Sequence, residues 1–218
     1  IALQVKEVLE HLGIKIFVSN SSGFTKEFSV RTYSDKYIIK NCDLLIAIGG
    51  DGTLLSSARK FGINGIPVLG INLGNLGFLT DIAPEDLTNS LKEITSGRFV
   101  KEERFFLEAI INNKRQGNLA LNEVVIHSGS IAQLIEYDLY INEEFVYRQK
   151  ADGLIVSTPT GSTAYSLSGN GPIVHPKVKA ITLLSMFPHS LNARPLLVDE
   201  NTEIRLMLSK KEKAYLSL

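Results

Sequence analysis

A glycine-rich segment that carries one carboxylate, Gly49 to Thr53 (GGDGT), has residue types that suit phosphate chemistry. Glycine lets the backbone turn sharply and approach a ligand closely, and free N–H groups at the start of a following helix bind phosphate oxygens. Asp51 adds a carboxylate beside that backbone. A tight turn in which Asp51 caps the helix explains the pentapeptide equally well. The glycine spacing matches neither the P-loop nor the dinucleotide-binding fingerprint.

A second glycine-rich segment runs from Asn72 to Leu79 and follows the apolar run from Ile66 to Ile71. Two glycines separated by apolar residues are common packing devices. Taken alone, this segment is better explained as a loop in which Leu76 and Phe78 fill the core than as a binding site.

An amide and a carboxylate, Asn122 and Glu123, stand side by side in the strand-like run from Ala120 to Ile126. Together they match the donor and acceptor pattern of a ribose or a base edge. Neighbours on a strand face opposite sides, so both can face a dry core only with partners, or where a bulge or strand end intervenes. Taken alone, the pair is better explained as an exposed polar pair on a sheet edge.

The longest polar segment runs from Ala151 to Ser168 and combines a strand, a cluster of hydroxyls and one tyrosine. The hydroxyls surround Pro159 and Gly161, and Tyr165 offers an aromatic face that could stack on a base. A purely structural turn rarely needs so many hydroxyls. This segment therefore favours a binding role over a Ser/Thr-rich loop with helix caps.

Two patterns of apolar residues place these segments in different kinds of structure. Leu44 to Ile48 is a short continuous apolar run, typical of a strand buried on both faces, and GGDGT follows at its carboxyl end, where ligands gather in α/β sheets. Repeated strand-helix units predict a mostly parallel α/β domain over residues 1–98. From about Phe99, short apolar or alternating runs predict a second, β-rich domain over residues 99–218.

Composition excludes several classes of protein. The 218 residues include 23 basic and 23 acidic side chains, so the electrostatic footprint of a nucleic-acid binder is absent. The single cysteine, Cys42, favours a reducing, cytoplasmic setting, and the histidines lack metal-ligand spacing. No apolar run approaches the roughly 20 residues that span a bilayer. We expect a soluble protein with no membrane partner and no metal ligands of its own.

Taken in this order, the segments resemble the NAD kinase family, bacterial type, which transfers a phosphoryl group from ATP to the 2′-hydroxyl of the adenosine ribose of NAD. The resemblance extends from Asp43 to Ile204 and includes the stretch from Pro188 to Pro195. GGDGT is also found in lipid kinases and phosphofructokinases. Asn-Glu followed by Thr-Pro-Thr-Gly-Ser-Thr-Ala-Tyr is much more specific.

The resemblance implies an α/β N-terminal domain and an all-β, β-sandwich-like C-terminal domain, with the NAD site between them. It also implies a homodimer or homotetramer that uses Mg²⁺ with ATP. By the same resemblance, Asp51 is expected to be the catalytic carboxylate. The expected phosphate-binding backbone consists of Gly49, Gly50, Gly52 and Thr53. The expected NAD-binding residues are Asp51, Gly52, Phe78, Asn122, Glu123, Lys150, Asp152, Thr163, Ala164, Tyr165, Ser166, Leu167 and Ser168.

One departure from the family concerns Lys150, which stands where many bacterial members carry arginine; it keeps the charge and loses the planar fork. The chain begins inside an apparent helix and stops inside a strand-like run, so we expect the family's first strand and C-terminal tail to be missing. Two other functions stay open, a lipid kinase and a non-catalytic NAD-sensing module. The phosphoryl donor, the acceptance of NADH and feedback by NADPH stay open as well.

Overall fold

The computed structural model describes residues 1–26, 31–74, 77–80, 82–130, 133–209 and 213–218. The chain divides into two compact units, Ile1–Glu102 and Glu103–Leu218. Each unit has its own buried apolar core.

The first unit alternates helices and short parallel strands, which confirms the predicted α/β N-terminal domain. Strand β1 pairs in parallel with β2, and β3 pairs in parallel with β4. The elements are α1 (Ala2–His11), β1 (Val18–Ser19), β2 (Thr32–Tyr33), α2 (Asp35–Asn41), β3 (Leu45–Ile48), α3 (Asp51–Lys60), β4 (Val68–Ile71) and α4 (Leu87–Thr95). Short 3-10 turns span Gly23–Lys26, Gly62–Asn64 and Pro84–Asp86.

Amphipathic helices cover the β3–β4 pair. Val5 and Leu9 of α1, four residues apart, share one buried cluster with Leu87 and Leu91 of α4, which have the same spacing. Ile71, the last residue of β4, lies in this cluster with no exposed surface. The core therefore fixes the carboxyl ends of β3 and β4, where the two glycine-rich segments begin.

The second unit is almost entirely antiparallel, which confirms the predicted β-rich C-terminal domain. A five-stranded sheet has the order β12-β11-β10-β7-β14, a three-stranded sheet has the order β13-β8-β9, and β5 pairs with β6. The strands are β5 (Leu107–Ile111), β6 (Lys114–Ala120), β7 (Glu123–His127), β8 (Ile135–Ile141), β9 (Glu144–Ala151), β10 (Gly153–Ser157), β11 (Ala180–Met186), β12 (Leu196–Asp199), β13 (Ile204–Leu208) and β14 (Tyr215–Ser217). A 3-10 turn (Thr160–Thr163) and the short helix α5 (Tyr165–Ser168) follow β10.

One apolar cluster joins the two larger sheets of this unit, as in a β-sandwich. Tyr137 and Leu139 of β8 share it with Leu154 of β10 and Leu183 of β11. All five residues of β10 are buried. This central strand therefore gives a rigid base to the residues at its two ends, Asp152 and Thr158.

The position of Leu154 generates a test of this core. Leu154 has no exposed surface, whereas Leu197, on β12, is 46% exposed. We expect Leu154→Ala to lower the free energy of unfolding by about 2–5 kcal/mol, and Leu197→Ala by about 1 kcal/mol or less. Urea unfolding measures both variants. Equal losses would contradict the placement of β10 at the centre of the sandwich.

Candidate functional site

Asp51 lies at the start of α3, directly after the turn that follows β3. Gly50 is the N-cap residue of α3, so the interpretation of Asp51 as a helix cap is wrong. Instead, the Asp51 carboxylate accepts backbone hydrogen bonds from a distant segment. Phe78 N donates to Oδ2 at 2.9 Å, and Leu79 N donates to Oδ1 at 3.1 Å. The two glycine-rich segments therefore meet at this carboxylate.

Gly77 has to be glycine because of the Asp51 carboxylate. A Cβ atom at position 77 would collide with all three carboxylate atoms of Asp51. Phe78 is 68% exposed, so the interpretation that it fills the core is wrong; Leu76, the other residue of that interpretation, lies outside the described residues. The described residues of this segment that contact Asp51 therefore belong to the candidate site, and Phe78 does not pack in the core.

A buried polar pair lies behind Asp51. Asn72 and Thr80 are 3% and 0% exposed, and Asn72 Nδ2 donates to Thr80 Oγ1 at 2.8 Å. Thr80 Oγ1 lies 3.5 Å from Asp51 Oδ1. Neither side chain is among the site residues predicted from the sequence. The sequence could have identified Asn72 as a site residue, because it follows directly after a predicted strand, where ligands gather in α/β sheets.

The GGDGT backbone offers fewer free N–H groups than its length indicates. Gly49 N donates to Ile71 O, and Thr53 N donates to Gly50 O, both at 2.9 Å. The N–H groups of Asp51 and Gly52 belong to the first turn of α3, where helix geometry provides no acceptor. The positive end of the helix dipole lies there too, so this turn can bind an anion.

In the second unit, Asn122 and Glu123 lie at the start of a central strand. Glu123 is the first residue of β7 and is paired with Ser157, while Asn122 precedes the strand. Both side chains are half-buried, so the interpretation as an exposed pair is wrong, although β14 pairs with residues 125–127 of β7 and does not extend to Glu123 within the described residues. The strand end removes the conflict between neighbouring faces.

Two oxygens of this pair, Asn122 Oδ1 and Glu123 Oε2, are buried without a hydrogen-bond partner among the described residues. Buried polar atoms are normally paired, so these two acceptors suit a ligand that carries hydrogen-bond donors. Burial also raises the pKa of the Glu123 carboxyl from its ordinary value of 4.5 to about 7. Its charge therefore changes near neutral pH.

The turn after β10 is fastened directly to the Asn122 backbone. Thr158 N donates to Asn122 O at 2.8 Å, and Thr158 Oγ1 donates to Leu121 O at 2.5 Å. A Cβ atom at Gly161 would collide with Asn122 O. The Asn-Glu pair and the hydroxyl-rich segment thus form one piece of structure.

Most hydroxyls of the segment from Ala151 to Ser168 have structural partners. Ser162 Oγ donates to Pro159 O at 2.7 Å, and Thr163 Oγ1 donates to Thr160 O at 3.4 Å. Ser166 Oγ is buried and has no hydrogen-bond partner among the residues that the structure describes. The number of hydroxyls is therefore weaker evidence for binding than the sequence indicates, because the turn itself uses most of them.

A cavity of about 490 Å³ runs along β7 and brings together Glu123, Asp152 and Tyr165. Glu123 is paired with Ser157 and His127 with Gly153, so Glu123 and Asp152 lie toward opposite ends of the β7–β10 pair. Other lining residues include Val125, His127, Ser128, Met186 and Ser217. Four residue steps along β7 span about 13 Å, which suits an elongated ligand. His127 could have been found from the sequence, because strand periodicity places it on the same face of β7 as Glu123.

Other predicted NAD-binding residues do not line this cavity. Lys150 is exposed and its Nζ lies 3.6 Å from Glu136 Oε1. Asp51, Gly52 and Phe78 belong to the first unit. The other predicted NAD-binding residues outside the lining of this cavity are Asn122, Thr163, Ala164, Ser166, Leu167 and Ser168.

Within the described ranges, no group of three or more His, Cys, Asp or Glu side chains could hold a metal ion. None of the helices in those ranges is long and apolar enough to cross a bilayer.

Family models match both parts of the chain. Residues 1–99 match the model of the ATP-NAD kinase N-terminal domain, and residues 121–218 match that of the ATP-NAD kinase C-terminal domain. An NAD kinase of Teredinibacter turnerae is 54% identical over 170 residues, which are 77% of this chain and 58% of that protein. An NAD kinase of Pseudomonas putida is 49% identical over 190 residues, which are 85% of this chain and 64% of that protein. The chain therefore spans less than two thirds of the length of these relatives.

Two solved structures are similar to this chain. Yeast NADH kinase complexed with NADH has a TM-score of 0.85 at 31% identity, with 99% of this chain and 70% of that chain covered. An NAD kinase from Archaeoglobus fulgidus in complex with ATP has a TM-score of 0.79 at 27% identity, with 99% and 78% covered.

The raised pKa of Glu123 generates a prediction about stability. The folded protein holds this proton more tightly than the unfolded chain, so the resulting stability is complete below pH 4.5 and is lost as the pH rises through about 7. We expect Glu123→Gln to gain thermal stability relative to the parent between about pH 5 and about pH 8. Melting curves across this range measure the difference. Glu144→Gln, at an exposed position, is the control; a Glu123→Gln difference as flat with pH as the control's would contradict the shift.

Proposed function

Because the chain belongs to the NAD kinase family, we propose that it transfers the γ-phosphoryl group of ATP to the 2′-hydroxyl of the adenosine ribose of NAD, which gives NADP. The observation that carries this proposal is the Asp51 carboxylate, which two backbone N–H groups hold at the N-terminal turn of α3. A fixed carboxylate beside free N–H groups combines a proton acceptor with a phosphate-binding backbone.

A ribose hydroxyl is a poor nucleophile until it is oriented and loses its proton. We assign this task to Asp51, which accepts the 2′-hydroxyl proton while the 2′-oxygen bonds to the γ-phosphorus. The bond from that phosphorus to the β–γ bridging oxygen breaks, and ADP leaves. Most of the acceleration comes from positioning and electrostatic stabilisation, since the transferred group is already reactive once it is held in line.

The donor side of the reaction is assigned to the first turn of α3. The Archaeoglobus fulgidus relative was solved in complex with ATP, which supports ATP as the donor here. The N–H groups of Asp51 and Gly52 bind its phosphate oxygens, with Gly49, Gly50 and Thr53 shaping the turn. Mg²⁺ enters with ATP, because phosphate oxygens are among its preferred ligands.

The acceptor is assigned mainly to the second unit. The unpaired acceptors Asn122 Oδ1 and Glu123 Oε2 suit the hydroxyl hydrogens of a ribose, and Tyr165, 46% exposed, can stack on the adenine. Asp152 binds another part of NAD. The yeast relative was solved with NADH, which supports a reduced or oxidised dinucleotide as ligand. The other proposed contacts are Asp51, Gly52, Phe78, Lys150, Thr163, Ala164, Ser166, Leu167 and Ser168.

Several further properties belong to the proposal. We assign the phosphate-binding role to residues 1–98 and the NAD-binding role to residues 99–218. A homodimer or homotetramer belongs to the proposal as well and is supported by membership of the family. The unpaired Cys42 thiol supports a reducing, cytoplasmic location. The balanced charge supports the absence of a nucleic-acid partner.

Asp51→Asn tests the reaction and the residue together. We expect turnover to fall by about 10² or more, while the Kd for NAD stays within a few-fold, because the amide cannot accept the hydroxyl proton. The assay uses purified protein with NAD, ATP and Mg²⁺ and measures NADP with an NADP-specific dehydrogenase. Unchanged turnover would remove Asp51 from the mechanism.

The Asp51→Asn test needs a structural control, because the new amide would point an N–H group at the N–H of Phe78 or Leu79. Asp43→Asn, at an exposed position in the same unit, should keep full activity. Melting curves of both variants separate lost chemistry from lost folding. NAD binding without NADP formation by the parent protein would favour the NAD-sensing alternative.

The pKa of Glu123 predicts how NAD binding depends on pH. If ribose hydroxyls donate to its carboxylate, the ionised form binds NAD better, and affinity rises as the pH passes through about 7. We expect NAD to bind about 5–10-fold more tightly near pH 8 than near pH 6. Calorimetry at both values measures this ratio. A ratio as large in Glu123→Gln as in the parent would assign the pH dependence to another group.

A further inference from the structure

The buried pair behind Asp51 has a fixed orientation. Asn72 Oδ1 accepts from Gly74 N at 2.7 Å, so the carbonyl side of the amide is assigned by a backbone donor. The NH₂ side then points to Thr80 Oγ1, 2.8 Å away. Because Thr80 Oγ1 accepts this bond, its own hydrogen remains available, and Asp51 Oδ1 at 3.5 Å is an acceptor for it.

Packing also restricts the Thr80 side chain. Thr80 has no exposed surface, and its Cγ2 methyl lies so close to Gly70 of β4 that a Cβ at position 70 would come within 2.9 Å of it. The methyl therefore occupies the space that Gly70 leaves, which fixes the direction of the hydroxyl. Valine would fill the same volume without a polar atom, so packing alone does not explain the hydroxyl.

The two carboxylate oxygens of Asp51 differ in their free lone pairs. Oδ1 accepts from Leu79 N and lies within reach of Thr80, whereas Oδ2 accepts from Phe78 N alone among the bonds within the described residues. Each carboxylate oxygen can accept about two hydrogen bonds. Oδ1 is therefore saturated once Thr80 donates to it, whereas Oδ2 has room for a substrate hydroxyl.

We propose that Thr80, oriented by Asn72, is a positioning residue that holds Asp51 Oδ1, so that Oδ2 receives the proton of the acceptor hydroxyl. The proposal rests on the phosphoryl transfer proposed above. The Thr80 contact of 3.5 Å is long for a hydroxyl and a carboxylate. Catalytic hydrogen bonds are often long without substrate and shorten in the reacting complex, and we expect the same here.

Thr80→Val and Thr80→Ser test the role of the hydroxyl. We expect Thr80→Val to lower kcat by about 10-fold or more, the scale of one hydrogen bond to a charged group, with the KM for NAD within about 2-fold. Thr80→Ser restores the hydroxyl and should return kcat to within about 3-fold of the parent. Thr182→Val is the control, since Thr182 is 1% exposed and its hydroxyl has no hydrogen-bond partner within the described ranges; this variant should leave kcat unchanged.

The outcomes separate this inference from the proposed function. If the parent protein forms no NADP, the proposed function fails and the inference fails with it. If the parent is active and Thr80→Val keeps kcat within about 2-fold, the inference alone is overturned. It is also overturned if Thr80→Ser is as impaired as Thr80→Val, because shape would then be the cause. If Thr80→Val does not fold, Thr80→Ala takes its place, with the same expected loss and the same contrary result.

Discussion

The Asp51 carboxylate lies where the chain segments after two neighbouring parallel strands meet. β3 leads to Gly50 and Asp51, and β4 leads to Asn72 and the 77–80 segment. Hydrogen bonds from N–H groups to a charged carboxylate are stronger than neutral ones, so they hold this segment and the reactive group together. The same contacts leave no room for a side chain at Gly77. Asp51 is therefore a structural residue of the first unit as well as its proposed proton acceptor.

Unpaired buried oxygens impose the corresponding constraint in the second unit. In the part of the chain that the structure describes, the buried oxygens without a hydrogen-bond partner include Asn122 Oδ1, Glu123 Oε2 and Ser166 Oγ. Each such group costs free energy in the unliganded protein. The buried strand β10 and the hydrogen bond from Thr158 N to Asn122 O fix the backbone beside Asn122 and Glu123. A ligand with matching hydroxyl groups offsets this cost, so stability and binding oppose each other at the start of β7.

Periodicity predicts much of this molecule, because apolar spacing reports local structure directly. The strand before GGDGT and the β-rich second half follow from it, although only Ala47 of that strand is fully buried. The pairing of distant residues does not. Asp51 binds Phe78 across 27 residues, and β7 becomes a central strand only because β14, at the end of the chain, pairs with it. The hydroxyls after β10 indicate a binding role more strongly than the structure supports. Their partners are backbone carbonyls, which the residue types do not reveal.

The donors that hold Asp51 belong to the backbone, and every residue type except proline has such a donor. The side chains at positions 78 and 79 can therefore change without removing these contacts. Because Phe78 is 68% exposed, the residue type at this position can change to suit the ligand that contacts it. Divergent members of the family could thus prefer different acceptor molecules through the side chain at position 78, while the geometry of the carboxylate stays constant.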